Sequence, residues 1–186
     1  MSKKFNFFRE AIKNYKTSGT VVPSSRYLAE KMLKNVNFEE ANVIVELGPG
    51  NGAITNHILK KINKDATLIC FEINDIFYEE LLKIKHKQLI VLKASAENVD
   101  KELEKLGFSE ANHIISSLPL TIIPKGISKE ILKRSKEVLS TNGLFIQYQY
   151  SLSYYKKLKR IFGSNISLDF EPLNFPPAFV YKCAKK

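Results

Sequence analysis

The chain has 186 residues, 44% of them hydrophobic, and a net charge of +10 from 29 basic and 19 acidic residues. This composition predicts one domain with a sizeable core and excludes disordered and collagen-like classes. No run approaches the roughly 20 apolar residues that span a bilayer. We expect no signal peptide, and two cysteines cannot form a disulfide framework, so a reducing, cytoplasmic setting is predicted.

The charge is unevenly distributed along the sequence. Residues 1–34 carry a net +6, residues 35–123 carry −4, and residues 124–186 carry +8. An acidic middle between two basic ends predicts an enzyme core flanked by surfaces for an anionic partner, either nucleic acid or an anionic membrane. The alternative is that the charge serves only solubility.

The N-terminal segment is predicted to be a basic amphipathic helix. Phe5, Phe8, Ile12 and Tyr15 fall on one helical stripe, with basic residues beside it. Such a helix can lie on a membrane surface, or it can pack on the domain. A second helix is expected to follow, with Ser24 or Ser25 as its N-cap.

The middle of the chain alternates between strand-like and helix-like runs. The predicted strands are 43–47, 67–72, 89–92, 113–117 and 144–150. The predicted helices are 53–62, 76–84, 100–106 and 127–139, the last closed by Asn142-Gly143. This order predicts an α/β domain with a mostly parallel sheet and helices on both faces. The run 178–183 has no crossover helix before it, so we expect it to pair antiparallel at an edge or inside the sheet.

The clearest motif is Glu46-Leu47-Gly48-Pro49-Gly50-Asn51-Gly52, at the carboxyl end of the first predicted strand. Glycines there let a ligand approach the backbone, and the next helix offers unpaired N–H groups. No Lys-Ser/Thr pair follows, which excludes a Walker A loop. A dinucleotide pattern ending at Ala53 also fits. However, an acid before a tight G-x-G-x-G resembles the first motif of class I S-adenosylmethionine-dependent methyltransferases. In both cases Glu72 would accept hydrogen bonds from ribose hydroxyls.

That resemblance implies S-adenosylmethionine as the cofactor. After the third strand such enzymes often place an acid near the adenine amino group, and Ser95 stands there instead, with Glu97 as an alternative contact. The candidate cofactor-binding residues are Glu46, Gly48, Pro49, Gly50, Asn51, Gly52, Glu72, Ile73, Ser95, Ala96 and Ser116.

The segment Ser116-Ser117-Leu118-Pro119-Leu120 follows the fourth predicted strand. In class I enzymes this position faces the reacting amine. Enzymes that methylate adenine carry Asn or Asp there, then proline and an aromatic ring that stacks on the base. Serine and leucine supply no such ring, which argues against a nucleobase as substrate.

Nearly the whole chain resembles the bacterial phospholipid N-methyltransferases of the soluble, Rhodobacter-like type, which are relatives of the ribosomal RNA adenine dimethylases. The resemblance rests on the Phe-rich first helix, the glycine loop, and residues 19–25, 117–120, 147–150 and 174–181. It implies a Rossmann-like class I methyltransferase fold with a seven-stranded sheet. Residues 1–186 would form one domain, in which an N-terminal helical arm (1–34) precedes a cofactor-binding core (35–186). It also implies a peripheral membrane enzyme that methylates the amine of phosphatidylethanolamine or its partly methylated products.

The expected reaction is attack of an uncharged amine nitrogen on the sulfonium methyl, with the protein aligning the groups and releasing the amine proton. Tyr15, Tyr27 and Ser117 are candidates to orient the amine or relay its proton. Tyr148 and Tyr150 are candidates to face the methylammonium through cation–π attraction. No spacing of His or Cys suits a metal site, and we expect a monomer. An RNA methyltransferase, a non-catalytic membrane-surface module and, last, a nicotinamide oxidoreductase stay open as alternatives.

Overall fold

The computed structural model describes residues 24–185. They contain a seven-stranded sheet in the order β3-β2-β1-β4-β5-β7-β6. The strands are β1 (Val43–Leu47), β2 (Thr67–Phe71), β3 (Leu89–Leu92), β4 (Ala111–Ser116), β5 (Leu139–Gln149), β6 (Ile166–Glu171) and β7 (Ala178–Ala184). Neighbours from β3 to β5 are parallel, whereas β7 is antiparallel to both β5 and β6. The predicted Rossmann-like, mostly parallel seven-stranded sheet is confirmed.

Helices follow the strands and cover both faces of the sheet. They are α1 (Arg26–Leu33), α2 (Ala53–Leu59), α3 (Asp75–Leu81), α4 (Val99–Lys105), α5 (Lys125–Val138) and α6 (Tyr155–Phe162), with 3₁₀ turns at Ala96–Asn98 and Leu152–Tyr154. Ser25 caps α1, because its Oγ accepts the N–H of Leu28 at 3.2 Å. Of the two predicted caps, the second is therefore the one used.

Each face of the sheet carries its own apolar core. One core joins Val45 and Phe71 to side chains of α4, α5 and α6. The other joins Ile44 and Leu68 to side chains of α1 and α2. All five residues of β1 are buried, as expected for a central parallel strand covered on both faces. In sheets of this kind ligands bind at the loops that follow the carboxyl ends of the parallel strands.

The prediction for the start of β5 was wrong. The helix expected to close at Asn142-Gly143 ends at Val138, and the strand already begins at Leu139. Asn142 has a φ of 63°, and the pairing register with β4 shifts between Ala111 and His113. A Cβ at Gly143 would lie 2.7 Å from the carbonyl oxygen of Asn112. The Asn-Gly pair thus serves an irregularity within the strand, where neighbouring backbone leaves no room for a side chain.

The C-terminal third differs from the sequence analysis in what lies between β5 and β7. Helix α6 and strand β6 had no predicted counterpart. The run 178–183 does pair antiparallel, as expected, and it lies inside the sheet between β5 and β6. Strand β6 forms the edge, and Leu168 and Phe170 on it are 41% and 48% exposed, so it lacks the buried apolar pattern of the central strands.

The predicted arm falls partly outside the described residues. Phe5, Phe8, Ile12 and Tyr15 all precede residue 24. Helix α1 lies within the predicted arm, and it buries Leu28 and Met32 against the sheet. The division of the chain at residue 34 stays a prediction. Within residues 24–185, no helix combines the length and apolar character that crossing a bilayer requires.

Candidate active site

The glycine loop connects β1 to α2 at the carboxyl edge of the sheet. Gly48 and Gly52 have φ angles of 69° and 80°, a left-handed conformation that glycine adopts at little cost. A Cβ at Gly48 would lie 2.7 Å from Leu118 Cδ2, and one at Gly52 would lie 3.1 Å from Ile84 Cδ1. Both positions therefore favour glycine for backbone conformation, and a side chain at either would have to displace the end of a neighbouring apolar side chain.

Pro49 and Asn51 give the loop its local shape. Pro49 is buried, and its carbonyl accepts the N–H of Gly52 at 3.2 Å. Asn51 is exposed, and its Oδ1 accepts the N–H of Ala53 at 3.3 Å. The loop is thus closed by its own hydrogen bonds before the helix begins.

Glu72 follows β2 and holds two loops of the site together. Its Oε2 accepts the N–H of Gly50 at 3.0 Å, and its Oε1 accepts the N–H of Asn74 at 2.9 Å. The residue is only 2% exposed. A carboxylate has about four acceptor positions, so it can hold both loops and also accept ribose hydroxyls. The glycine loop with a buried acid beside it suits the predicted S-adenosylmethionine, and the contact of Glu72 with ribose hydroxyls stays a prediction.

Glu46 is fully buried behind the glycine loop. Its Oε2 accepts the hydroxyl of Thr55 at 2.7 Å and the thiol of Cys70 at 3.4 Å. Burial, and then the charge of Glu46, raise the pKa of the Cys70 thiol well above its usual value. Through this oxygen Glu46 links α2 to strand β2. A direct contact between Glu46 and the cofactor stays a prediction.

The remaining candidate cofactor residues lie on the loops after β2 and β3. Ser95 caps the 3₁₀ turn, since its Oγ accepts the N–H of Glu97 and donates to Glu97 Oε2, both at 3.3 Å. Ala96 is buried, and Ile73 is half-buried against the same core. These residues share the edge of the sheet with the glycine loop, and their contacts with the cofactor stay predictions.

The acceptor turn, residues Ser117–Leu120, follows β4 and rests directly on the glycine loop. The N–H of Ser117 donates to the carbonyl of Leu47 at 2.9 Å. Ser116 is buried, and its Oγ accepts the N–H of Leu118 at 3.4 Å. Leu118 in turn fills the space that a side chain at Gly48 would need. The glycine loop and the acceptor turn are therefore packed directly against each other.

Two glutamines of β5 hold this turn, and the sequence analysis missed their role. The side-chain amides of Gln147 and Gln149 both donate to the carbonyl oxygen of Leu118, at 3.1 and 3.0 Å. The N–H of Leu120 donates to the same oxygen at 2.8 Å, so three donors converge on this carbonyl. The available signal is the alternation Gln-Tyr-Gln-Tyr at residues 147–150, which puts buried amides on one face of a strand end and tyrosines on the other.

A cavity of about 110 Å³ opens beside the acceptor turn. It is lined by Ser117, Leu118, Pro119, Thr121, Tyr148, Gln149, Tyr150 and Ser151. The rings of Tyr148 and Tyr150 meet edge to face, with centroids 5.7 Å apart. Ser117 Oγ is buried and has no hydrogen-bond partner among residues 24–185. Ser117 also lines the cavity, and a contact between its hydroxyl and a bound acceptor stays a prediction.

The structure brings together Ser117, Tyr148 and Tyr150 of the five predicted catalytic residues. Tyr27 lies on α1, is 44% exposed, and has the Arg26 guanidinium carbon 5.5 Å from its ring centroid. It does not line the cavity. Tyr15 lies outside the described residues.

This chain is similar in sequence to known methyltransferases. The sequence model described as "Ribosomal RNA adenine dimethylase" matches residues 22–159. An ornithine lipid N-methyltransferase from Singulisphaera acidiphila is 29% identical, covering 98% of this chain and 96% of that protein. A ribosomal RNA small subunit methyltransferase A from Hydrogenobaculum sp. is 31% identical, covering 68% of this chain and 51% of that protein.

Solved structures share the fold. Magnesium protoporphyrin IX methyltransferase from Synechocystis PCC 6803, solved with bound S-adenosylmethionine, has a TM-score of 0.69 at 8% identity, covering 100% of this chain and 99% of that chain. The family match spans the glycine loop, Glu72, the acceptor turn and both glutamines. This chain is therefore a S-adenosylmethionine-dependent methyltransferase that belongs to the ribosomal RNA adenine dimethylase family.

Proposed function

We propose that the protein transfers methyl groups to the amine of a membrane-lipid head group, such as that of an ornithine lipid or of phosphatidylethanolamine. The observation that carries this proposal is the extent of the match to the ornithine lipid N-methyltransferase, which runs along 98% of this chain and 96% of that protein. The ribosomal RNA relatives align over less of both proteins, with 51% of one and 35% of another covered.

The chemistry of the cavity suits an amine. When bound, S-adenosylmethionine supplies a methyl group on a sulfonium, which is already a strong electrophile. The protein must hold an uncharged nitrogen in line with that methyl. Ser117 Oγ can accept an N–H of the amine and so turn the nitrogen lone pair toward the cofactor side. The ammonium proton leaves to solvent before attack, and the product carries the positive charge.

Positioning of Ser117 depends on the glutamines of β5. Since the Leu118 carbonyl already accepts hydrogen bonds from Gln147, Gln149 and the N–H of Leu120, the turn is fixed, and this carbonyl does not compete for the amine. Tyr148 and Tyr150 line the same cavity. Their rings can face a methylated ammonium, whose charge is attracted to an aromatic face.

An RNA methyltransferase is the second candidate, favoured by the family and by the charge of +10. The acceptor turn argues against RNA as the substrate. Leu120 stands where a stacking ring would be needed, and it is fully buried. Leu118 is buried against Gly48. The turn therefore presents no aromatic face to a nucleobase.

The test is a methyl-transfer assay with the full chain and labelled S-adenosylmethionine. The acceptors are phosphatidylglycerol vesicles that contain ornithine lipid, phosphatidylethanolamine, or phosphatidylcholine, and ribosomal RNA in a separate reaction. We expect label in the ornithine lipid or in phosphatidylethanolamine, and none in phosphatidylcholine, whose nitrogen is already fully methylated. Label in RNA and in neither amine lipid would refute the proposal. Glu72→Gln serves as a control in which weakened cofactor binding should lower the transfer to every acceptor.

A further inference from the structure

The loop between β6 and β7 presents an unusual apolar surface. This loop, residues 172–177, is here named the apolar tip. Phe175 and Leu173 are 79% and 62% exposed, the highest values among the large hydrophobic side chains of the described residues. Pro172, Pro176 and Pro177 are exposed beside them. Contiguous exposed apolar side chains of this kind mark an interaction surface.

Hydrogen bonds and an ion pair hold the apolar tip against the rest of the domain. Asn174 is only 4% exposed. Its Oδ1 accepts the N–H of Ser25 at 3.0 Å, and its Nδ2 donates to the carbonyl of Pro176 at 2.8 Å. Glu171 Oε1 accepts the N–H of Leu173 at 2.9 Å, while its other oxygen pairs with Lys31 at 3.5 Å. The fold therefore holds this loop in place with its apolar side chains directed outward.

The apolar tip lies at the same edge of the sheet as the cavity. Strand β7 starts at Ala178, which pairs with Glu171, and its next residue pairs with Gln149 at the end of β5. Tyr150 and Leu152 follow Gln149 and are 41% and 48% exposed. Exposed apolar side chains thus extend from the apolar tip to the wall of the cavity.

Basic side chains flank this edge. Arg26 follows Ser25, whose N–H donates to the apolar tip. The Arg26 side chain is 71% exposed, and its Nε lies 3.7 Å from Glu30 Oε1. Lys156 is exposed at the start of α6, and Lys159 and Arg160 are exposed one turn later. Residues 124–186 carry a net +8. Exposed cations together with exposed apolar side chains suit an anionic bilayer, whose surface attracts lysine and arginine and whose interior accepts Leu and Phe.

We infer that the apolar tip inserts into the interface of an anionic lipid bilayer, so that the cavity opens onto the head groups. This inference deepens the proposed function and rests on it for the choice of partner. RNA is a poorer match, because leucine and proline side chains offer nothing to a phosphate backbone.

The chain contains no tryptophan, which allows a direct test. Phe175→Trp places one fluorophore at the apolar tip of the full chain. Leu82→Trp is the matched control, because Leu82 is 40% exposed but follows α3, which connects β2 to β3 at the side of the sheet farthest from β6 and β7. Each variant is mixed with vesicles of equal parts phosphatidylglycerol and phosphatidylethanolamine, with and without brominated acyl chains, and separately with ribosomal RNA.

We expect a blue shift and bromine quenching for Phe175→Trp and neither for Leu82→Trp. Quenching should persist at high salt once the protein is bound, since apolar insertion is not screened. Leu173→Ser combined with Phe175→Ser should lower vesicle affinity about tenfold or more, because two large apolar side chains are lost. An unchanged Phe175→Trp spectrum with vesicles, an equal response of both tryptophans, or a response to RNA alone would each overturn the inference.

The outcomes also separate this inference from the proposed function. Bromine quenching without methylation of any amine lipid refutes the function and supports insertion. Methylation of an amine lipid in vesicles without quenching of Phe175→Trp supports the function and refutes insertion.

Discussion

Gly48 and Leu118 are in direct contact: a Cβ placed on Gly48 would stand 2.7 Å from Leu118 Cδ2. The first residue belongs to the glycine loop, and the second to the acceptor turn. Because β1 and β4 are adjacent and parallel, with Leu47 opposite Ser116, the two loops leave the sheet side by side. A change in one loop is therefore transmitted to the other.

Gly48→Ala should weaken S-adenosylmethionine binding about tenfold or more, because a residue with a side chain is strained by about 1–3 kcal/mol at a φ of 69° and the glycine loop must leave its conformation to relieve that strain. The clash with Leu118 adds to this cost. Titration calorimetry measures the affinity. Gly107→Ala is the control, since Gly107 has a φ of 83° but nothing within 4 Å of a Cβ, and it should lose stability while keeping cofactor affinity.

Leu118→Ala in the Gly48→Ala background separates the two causes. Removal of the leucine side chain relieves the clash and leaves the backbone strain. We expect partial recovery of cofactor affinity. Equal affinity of Gly48→Ala and the unchanged protein would contradict the assignment of this loop.

Glu72→Gln should lower cofactor affinity about tenfold or more, because an unsatisfied buried polar group costs about 1–3 kcal/mol. Both carboxylate oxygens accept backbone N–H groups, from Gly50 and Asn74. An amide offers only one oxygen, so one N–H would face an NH₂ group. Calorimetry again gives the affinity, and the exposed Glu110→Gln is a matched control expected to bind normally.

The glycine loop and Glu72 could be predicted because their signal is local. Seven consecutive residues carry the loop, and Glu72 stands at the end of the next predicted strand. The order of the central elements follows from the same alternation of apolar runs. Edge strand β6 escaped prediction because Leu168 and Phe170 are about half exposed, which breaks the buried pattern that identifies the inner strands.

The hydrogen bonds from Gln147 and Gln149 to the acceptor turn could not be predicted in the same way. Gln149 and Leu118 are 31 residues apart, and they meet only because β4 and β5 pair in parallel with Ser116 opposite Gln147. The register of two strands is a tertiary property. It decides that two glutamines, and not the tyrosines between them, reach the Leu118 carbonyl.

Ser117→Ala should reduce kcat for the lipid acceptor about tenfold, as expected for loss of one hydrogen bond worth about 1.4 kcal/mol. Cofactor affinity and stability should be retained, because Ser117 Oγ has no hydrogen-bond partner in the described part of the chain. The neighbouring Ser116→Ala is the contrast. Ser116 Oγ accepts the N–H of Leu118, so that variant should lose free energy of unfolding. A Ser117→Ala enzyme with full kcat would exclude Ser117 from orienting the amine.

The free energy of unfolding should decrease as the pH falls below about 6.5, because of His113. This residue on β4 is 6% exposed, and its Nδ1 accepts the N–H of Leu144 at 3.3 Å. Burial lowers its pKa from the usual 6.5, and a hydrogen bond to the Asn37 backbone opposes this in part. The unfolded chain therefore takes up the proton at a higher pH than the folded one, so the contribution is complete above pH 6.5 and is lost as the pH falls below it.

Urea unfolding of the unchanged protein and of His113→Gln, each at several pH values from about 8 to about 5, measures this effect. The glutamine variant cannot take up the proton, so its free energy of unfolding should fall less steeply across the range below pH 6.5. The carboxylates titrate in both proteins, and the difference between the two slopes isolates His113. Identical slopes would show that His113 accepts a proton as readily in the folded chain as in the unfolded one.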